Sequence, residues 1–335
     1  MPVESAPRRR VLTALAVCSA IAALVLLVAP LIGSSSASLP RALAGISPDR
    51  EVLFELRLPR VILAMIAGAC LSLAGALFQA LLRDALATPY TLGVSSGSAL
   101  GAVCSILLGF RLALPFPVHW LGAIIGAALV LGLVLHLGSE GARMSSFTLL
   151  LAGVTINSIC LALILFLHSF ATLMQSFSIT RWLMGGIDPV DLKTLASLLA
   201  VVVPVAGFVL WKAREWNLLA VGEEWAESRG VDVQWLLRFG YLAGSLLTGL
   251  VTAFTGPIGF VGLIVPHALR MRFGADHRLL LPCSLLLGAA FLAICDTVAR
   301  TVLAPAEIPV GVLTALLGGP FFIWLLRSRR RSLWL

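Results

Sequence analysis

Side chains that commonly carry catalysis or bind metals are few and scattered in this sequence. None of its five histidines or six cysteines has a motif-like spacing; they are His119, His136, His168, His267 and His277, and Cys18, Cys70, Cys104, Cys160, Cys283 and Cys295. The patterns H-E-x-x-H and G-x-S-x-G do not occur, and no paired carboxylates fall within the long apolar runs. We therefore expect no catalytic residue, no metal site and no cofactor bound by this chain, and we interpret the cysteines as small packing residues.

Charged residues inside the apolar runs are equally rare. Asp296 and Arg300 lie four residues apart and are expected to form a structural pair rather than a proton relay. Ion-coupled carriers place ionisable groups within the membrane because such costly residues need a functional reason. The sequence therefore disfavours a secondary transporter. It also lacks the pattern G-x-x-x-x-G-K-[ST], so any ATP that drives this protein must be bound by another subunit.

The composition places the chain in a membrane. Of its 335 residues, 59% are hydrophobic and only 12% are charged, compared with about 25% charged in soluble domains. Apolar runs of 18 or more residues recur, each long enough to cross roughly 30 Å of hydrocarbon, and they are continuous rather than alternating as in a barrel. The net charge of +8 comes from residues at the ends of these runs, so it does not indicate nucleic acid.

We predict an all-α polytopic membrane protein that forms a single transmembrane domain over residues 1–335. About ten helices are expected, at 11–32, 60–82, 92–110, 118–138, 147–169, 192–211, 238–255, 261–271, 279–303 and 308–327. The eighth is too short to cross alone and is expected to be a half-helix packed within protein. The first follows three arginines but is too long for the apolar region of a signal peptide, so we expect it to be retained.

The distribution of positive charge predicts the orientation. With ten segments, both termini lie on the same side of the membrane. Eight of the 24 Lys and Arg residues then fall on the opposite side, namely Arg41, Arg50, Arg57, Arg60, Arg111, Arg181, Lys193 and Arg300. The remaining 16 lie on the side of the termini. Because cytoplasmic loops are enriched in positive charge, both termini are predicted to be cytoplasmic.

Two stretches interrupt the apolar pattern. Residues 217–234 hold five charged side chains, and AVGEEWAESRG (220–230) is typical of one short amphipathic helix that ends at Gly230. Such a helix suits docking into a groove of a cytoplasmic partner, although an ordinary solvated loop is an equally simple interpretation. GPIGFVGLIVPH (256–267) breaks the seventh helix at Gly256-Pro257 and indicates either a cavity or gate, or a structural kink.

Small residues crowd three further stretches and predict close helix packing: GACLSLAGALFQA (68–80), GVSSGSALGA (93–102) and GAIIGAALVLG (122–132).

In this order, the motifs resemble those of the FecCD-type permeases of bacterial ABC importers for iron-siderophores, haem and cobalamin. The matching stretches span nearly the whole chain: LRLPR (56–60), AGALFQALLRDALATPYTLGVSSGSALGA (74–102), LLLAGVTINS (149–158), RWLMGG (181–186), NLLAVGEEWAESRGV (217–231), GPIGFVGLIVPHALR (256–270), GADHRLLLP (274–282) and APAEIPVGVLTALLGGPFFIWLL (304–326). One departure is Asp84-Ala85, where the family often has Asn-Pro.

The resemblance implies a ten-helix subunit of the bacterial inner membrane that pairs with itself or a close paralogue. Two cytoplasmic ATPase subunits would bind ATP and Mg²⁺ and drive it, and a periplasmic or lipid-anchored binding protein would deliver substrate. An iron-siderophore is the first expectation for the substrate, with haem or cobalamin as the alternative. His168, Met174 and Met184 could ligate haem iron, but we interpret them as packing residues.

The resemblance also assigns roles to residues. The coupling contact with the ATPase is expected to include Leu219, Ala220, Val221, Gly222, Glu223, Glu224, Ala226, Arg229 and Gly230. The binding protein is expected to dock on Arg57, Arg60 and Arg300, where charge pairs would set orientation and association rate. The translocation pathway or gate is expected to include Asn157, Gly256, Pro257, Gly259, Gly262 and Pro266.

Overall fold

The computed structural model describes residues 8–109, 117–140, 143–144 and 146–329. Within these ranges the chain forms fourteen α-helices: α1 Arg8–Val28, α2 Leu39–Leu43, α3 Leu58–Leu81, α4 Val94–Leu108, α5 Val118–Leu137, α6 Ser146–His168, α7 Leu173–Leu183, α8 Leu192–Trp211, α9 Ala213–Val221, α10 Glu223–Ser228, α11 Val233–Thr255, α12 Val261–Phe273, α13 His277–Thr301 and α14 Val310–Arg329.

A few short elements connect these helices. Two turns of 3-10 helix span Ala29–Leu31 and Pro89–Leu92, and a π-helix over Glu51–Arg57 runs directly into α3. After α5, the two-residue strands β1 (Ser139–Glu140) and β2 (Arg143–Met144) pair antiparallel.

The all-α fold class is confirmed, and each of the ten predicted segments coincides with a helix. Seven helical stretches in the described part are long and apolar enough to cross a membrane. The helices α4 and α14 are shorter apolar ones, and α12 has only 13 residues, as expected for a half-helix. The number of ten crossings stays a prediction.

Several elements between the predicted segments were missed, among them the π-helix and α7, because they are not uniformly apolar. The π-helix has a charged residue at each end, and α7 carries several polar side chains. A capping box was nevertheless readable at the start of α7: the backbone N–H of Gln175 donates to Thr172, and that of Thr172 donates to the Gln175 side chain.

Helix α3 forms the centre of the bundle, with 19 of its 24 residues buried. It packs against α13, α11 and α12. Glycines permit the close approaches: a Cβ on Gly68 would lie 2.1 Å from the Gly288 carbonyl oxygen, and one on Gly75 would lie 1.9 Å from that of Gly262. The close packing predicted from the small residues of 68–80 is therefore confirmed, since no larger side chain fits there.

The bundle has two distinguishable ends. The "coupling end" carries residues 213–230, and the "arginine end" carries Arg57, Arg60 and Arg300. Helix α1 buries Ala14 and Cys18 against the first turns of α13 at the coupling end, and its other end approaches Arg300. The last part of α14 packs through its phenylalanines on His267 of α12. Helix α1 therefore starts, and α14 finishes, toward the coupling end.

Candidate functional site

Residues 213–230, here named the coupling segment, fold into two short helices rather than one. The prediction of a single helix over 220–230 is wrong, because α9 ends at Val221 and α10 starts at Glu223. Gly222 between them is in an extended conformation, with φ 161° and ψ 150°, which interrupts the helical hydrogen bonding. The predicted stop at Gly230 is confirmed: this residue adopts a left-handed φ of +80° that favours glycine.

The coupling segment has one buried face and one exposed face. Leu219 and Ala226 are fully buried against the bundle. The exposed residues include Ala220, Val221, Glu224, Trp225 and Arg229. Val221 is 62% exposed and Trp225 is 48% exposed, and the Arg229 guanidinium lies 4.8 Å from the centre of the Trp225 ring. Tryptophan and arginine are enriched among the residues that carry binding energy at protein interfaces, and the ATPase contact at this face stays a prediction.

Polar contacts attach the coupling segment to the end of α3 and the start of α13. Arg83, just after α3, donates to the Glu223 carboxylate at 3.0 Å. Asn217 donates to Asp276 at 2.8 Å and accepts from the backbone N–H of His277, also at 2.8 Å, at the start of α13. Glu223 is therefore engaged within the chain, whereas Glu224 points to the exposed side.

The turn that holds Arg83 is ordered by the residue that departs from the family pattern. The Asp84 carboxylate accepts a hydrogen bond from the backbone N–H of Leu86 at 2.9 Å, which closes an Asx-type turn. Asp84 thus stabilises this turn without the Asn-Pro dipeptide.

The three arginines expected to meet a binding protein are mostly engaged within the chain. Arg57 is only 6% exposed and donates to the Pro30 carbonyl at 3.4 Å and to Ser35. Arg300 is 5% exposed and donates to the Ala29 carbonyl at 2.7 Å. Both residues hold the segment after α1 in place, so they offer little exposed charge to a binding protein.

Arg60 is the most exposed member of this cluster, and it binds two carboxylates. It lies 3.0 Å from Asp296, which is 1% exposed, and 3.1 Å from Glu307, which is 50% exposed. The predicted Asp296–Arg300 pair is confirmed at 3.8 Å, but Arg60 is the closer partner of Asp296. A docking role for the arginines stays a prediction, and Glu307 adds an acidic group that the sequence analysis did not include.

The predicted break before the eighth helix is confirmed. Helix α11 ends at Thr255 and α12 starts at Val261, with nonhelical backbone between them. Gly256 has a φ of +65°, and a Cβ there would lie 2.2 Å from the Trp182 carbonyl oxygen, so only glycine fits. The following carbonyl, of Pro257, packs against Gly185 and Gly311, whereas a Cβ on Gly259 would meet open space. The break is therefore enclosed on one side and open on the other.

Pro266 lies within α12 and leaves one carbonyl without its helical donor. Proline has no N–H, so the carbonyl oxygen four residues earlier, on Gly262, must be satisfied elsewhere. The Gln79 side chain of α3 donates to it at 3.3 Å, and the Gln79 amide oxygen accepts from Arg270 at 2.8 Å. Gln79, which the sequence analysis missed, therefore fixes the half-helix to the central helix.

Asn157 lies on the exposed side of α6. The neighbouring hydroxyls of Thr155 and Ser158 donate to carbonyls of their own helix, which leaves this side largely apolar. Leu151 and Leu161, which lie on either side of Asn157 along the same helix, are 58% and 55% exposed. A helix with this much apolar exposure suits either a pathway wall or a helix interface.

The residues considered for haem do not converge. His168 Nε2 lies 3.0 Å from the Ser176 hydroxyl, and Met174 is 80% exposed on α7. In the described part of the chain, no three His, Cys, Asp or Glu side chains are grouped so that they could hold a metal ion. Five cysteines are buried and Cys104 is half-buried, all as free thiols.

Comparison with known proteins identifies the family. The model of the FecCD transport family matches residues 15–328. The chain is 40% identical to the hemin transport system permease protein HmuU of Yersinia pestis over 284 residues, covering 84% of this chain and 85% of that protein. It is also 40% identical to the vitamin B12 import system permease protein BtuC of Klebsiella pneumoniae over 282 residues, covering 84% of each.

A solved structure has the same fold. It is described as "An inward-facing conformation of a putative metal-chelate type ABC transporter", and it superposes with a TM-score of 0.82 and 32% identity over 95% of this chain and 99% of that one. The chain therefore belongs to the FecCD transport family, as the permease subunit of an ABC importer.

Proposed function

We propose that this chain is the membrane permease of an ATP-driven importer that moves a metal chelate into the cytoplasm. The observation that carries the proposal is the coupling segment, whose exposed face holds Val221, Trp225 and Arg229 while its buried side is tied to α3 and α13. Since the sequence has no nucleotide-binding P-loop, this face suits two cytoplasmic ATPase subunits that hold ATP and Mg²⁺.

The substrate is proposed to be an iron-siderophore or a tetrapyrrole chelate. Iron-siderophores are the first candidate from the motif resemblance. The hemin and vitamin B12 permeases, each 40% identical, favour haem and cobalamin as the second candidate. All are bulky metal complexes, and a wall of apolar side chains such as that of α6 would let them pass without strong binding.

We further propose that two copies, or this chain and a close paralogue, form the pathway in the bacterial inner membrane with both termini cytoplasmic. The exposed side of α6 around Asn157 and the backbone break at 256–260 are the proposed pathway and gate. A periplasmic or lipid-anchored binding protein would dock at the arginine end, where Arg60 and Glu307 retain exposure.

Reconstitution tests the proposal. Proteoliposomes that hold the permease, its ATPase and its binding protein should take up one of a ferric siderophore, haemin or cyanocobalamin only when ATP is supplied. The binding protein titrated with the same three ligands should bind the one that is transported. Uptake by the permease alone under a proton or sodium gradient would refute the ATP-driven mechanism in favour of an ion-coupled carrier.

A further inference from the structure

Arg60 bridges two carboxylates that differ in exposure. Its Nε and one terminal nitrogen donate to Asp296 at 3.0 to 3.2 Å, and Asp296 is 1% exposed. Its two terminal nitrogens donate to the carboxylate oxygens of Glu307 at 3.1 to 3.2 Å, and Glu307 is 50% exposed. All three guanidinium nitrogens are therefore engaged, on one edge by a buried acid and on the other by an exposed one.

The two contacts differ in how easily they can be exchanged. Separating Arg60 from Asp296 would leave a buried carboxylate with Arg300 at 3.8 Å as its remaining ion-pair partner, and an uncompensated buried charge is costly. Glu307 stays hydrated when it leaves Arg60, and exposed ion pairs contribute little to stability. Asp296 therefore holds the guanidinium in place, while Glu307 can give way.

The position of Glu307 makes this contact accessible from outside the bundle. Residues 302–307, between α13 and α14, are all exposed. The backbone N–H of Ile308 donates to the Ala299 carbonyl at 3.0 Å, which fixes the end of this segment beside α13. Arg57 and Arg300 donate to backbone carbonyls of the segment after α1 and are almost fully buried. Of the three arginines, Arg60 is thus the one that a partner can approach.

We propose that Glu307 occupies the place of a partner's carboxylate on Arg60, and that docking of the binding protein exchanges one for the other. An acidic side chain of the binding protein takes over the bonds from the terminal nitrogens of Arg60, while Asp296 keeps the guanidinium in its orientation. The planar guanidinium suits this exchange, because its donors match a carboxylate in a two-point contact. The inference rests on the proposed function, which supplies the binding protein as the partner.

A measurement on the permease alone tests whether Glu307 covers Arg60. In the full-length protein, Glu307→Gln should raise the rate at which phenylglyoxal modifies Arg60 about two- to five-fold, as expected from the loss of an exposed ion pair. Modification of Arg60 is followed by peptide mass spectrometry. The matched control is Glu55→Gln, because Glu55 is an exposed acid of the π-helix at the same end and has no ion pair within the described residues. It should leave the rate unchanged.

A binding measurement tests the exchange itself. The cognate binding protein, loaded with its substrate, is titrated onto the permease–ATPase complex at low salt. Glu307→Gln should raise its affinity about two- to five-fold, because the partner no longer displaces a competing carboxylate. Glu55→Gln removes the same charge from the same end, so it measures the general electrostatic contribution, which should be smaller.

A thermodynamic cycle assigns the effect to Arg60. In a background that carries Arg60→Met with Asp296→Asn, Glu307→Gln should change the affinity no more than Glu55→Gln does, because the two carboxylates no longer compete for one cation. A gain that persists in this background would assign the effect to general charge and overturn the exchange.

Other results would overturn it as well. Unchanged phenylglyoxal reactivity in Glu307→Gln would show that Glu307 does not cover Arg60. An unchanged affinity would show that the partner does not displace Glu307, and a lower affinity would make Glu307 itself a contact of the binding protein. These results leave ATP-dependent uptake by the unaltered complex intact. Absence of that uptake, or of binding to the unaltered complex, would instead refute the proposed function and the exchange with it.

Discussion

Removal of the Arg60 side chain should destabilise the arginine end of the bundle. Asp296 is 1% exposed and receives its closest hydrogen bonds from Arg60, at 3.0 to 3.2 Å. Breaking a buried ion pair by removing one partner costs about 3–5 kcal/mol, because a buried charge stays uncompensated. Arg300 remains 3.8 Å from Asp296, so we expect a value near the lower limit for Arg60→Met. The half-exposed Glu307 contact should add little.

A double variant separates the ion pair from other effects of the substitution. Arg60→Met combined with Asp296→Asn removes both charges of the close pair, a replacement that is often nearly neutral in stability. Arg300 then loses its 3.8 Å partner but keeps its hydrogen bond to the Ala29 carbonyl, so recovery should be incomplete. The unfolding midpoint in detergent should fall by roughly 6–12 °C in the single variant, at about 2–4 °C per kcal/mol, and return most of the way in the double variant. The exposed cation Arg50 supplies a control, since Arg50→Met should leave the midpoint unchanged.

The same pair of variants decides whether Arg60 also docks the binding protein. If it does, affinity for the loaded binding protein should stay low in the stable double variant, most clearly at low salt, where exposed charges are least screened. Affinity that recovers together with stability would show that Arg60 acts only within the chain. A midpoint that falls equally in the single and double variants would refute the ion-pair reasoning itself.

Three further predictions concern the coupling end. Glu224→Lys should reduce substrate-stimulated ATP hydrolysis without loss of stability, and unchanged hydrolysis would contradict docking at this face. Glu223→Lys should also lower the unfolding midpoint, because it breaks the ion pair with Arg83, and Arg83→Glu should restore the midpoint. Asn217→Ala should leave basal hydrolysis intact but weaken its stimulation by the loaded binding protein, because α13 loses its contact with the coupling segment; normal stimulation would refute this transmission. A reporter fused after Leu335 should be active only if it requires the cytoplasm, and a periplasmic signal would mean a different number of crossings.

The helices were predictable because burial in lipid imposes a local rule. In the hydrocarbon, backbone N–H and C=O groups must form hydrogen bonds within their own helix. Length and apolarity alone therefore located the ten principal helices to within a few residues. The break at Gly256-Pro257 was equally local, since glycine and proline act on their own backbone. The polar stretch between the sixth and seventh helices was located from the sequence, but its division into α9 and α10 at Gly222 was not.

Contacts between distant residues were not predictable in the same way. Arg60 and Asp296 are 236 positions apart, and Gln79 and Gly262 are 183 apart. A single sequence gives the residue types but not long-range pairing, so the local Asp296–Arg300 pair was predicted while the closer Arg60–Asp296 pair was not. Pro266 supplied one usable signal. A proline at this position leaves the Gly262 carbonyl without its helical hydrogen-bond donor, so another donor is expected, but the sequence does not identify that donor.

These long-range contacts give the fold a direct connection between its two ends. Helices α3 and α13 touch at Gly68 and Gly288, where neither backbone tolerates a Cβ. At the arginine end the Arg60–Asp296 pair joins them, and at the coupling end both bind the coupling segment through separate polar contacts. A displacement of the coupling segment must therefore either move the adjoining ends of α3 and α13 with it or break its exposed contact with Arg83 and its part-buried contacts with the start of α13. Because α3 and α13 are packed without space for a Cβ at Gly68 and Gly288, we expect these two helices to be the route by which events at one face reach the other.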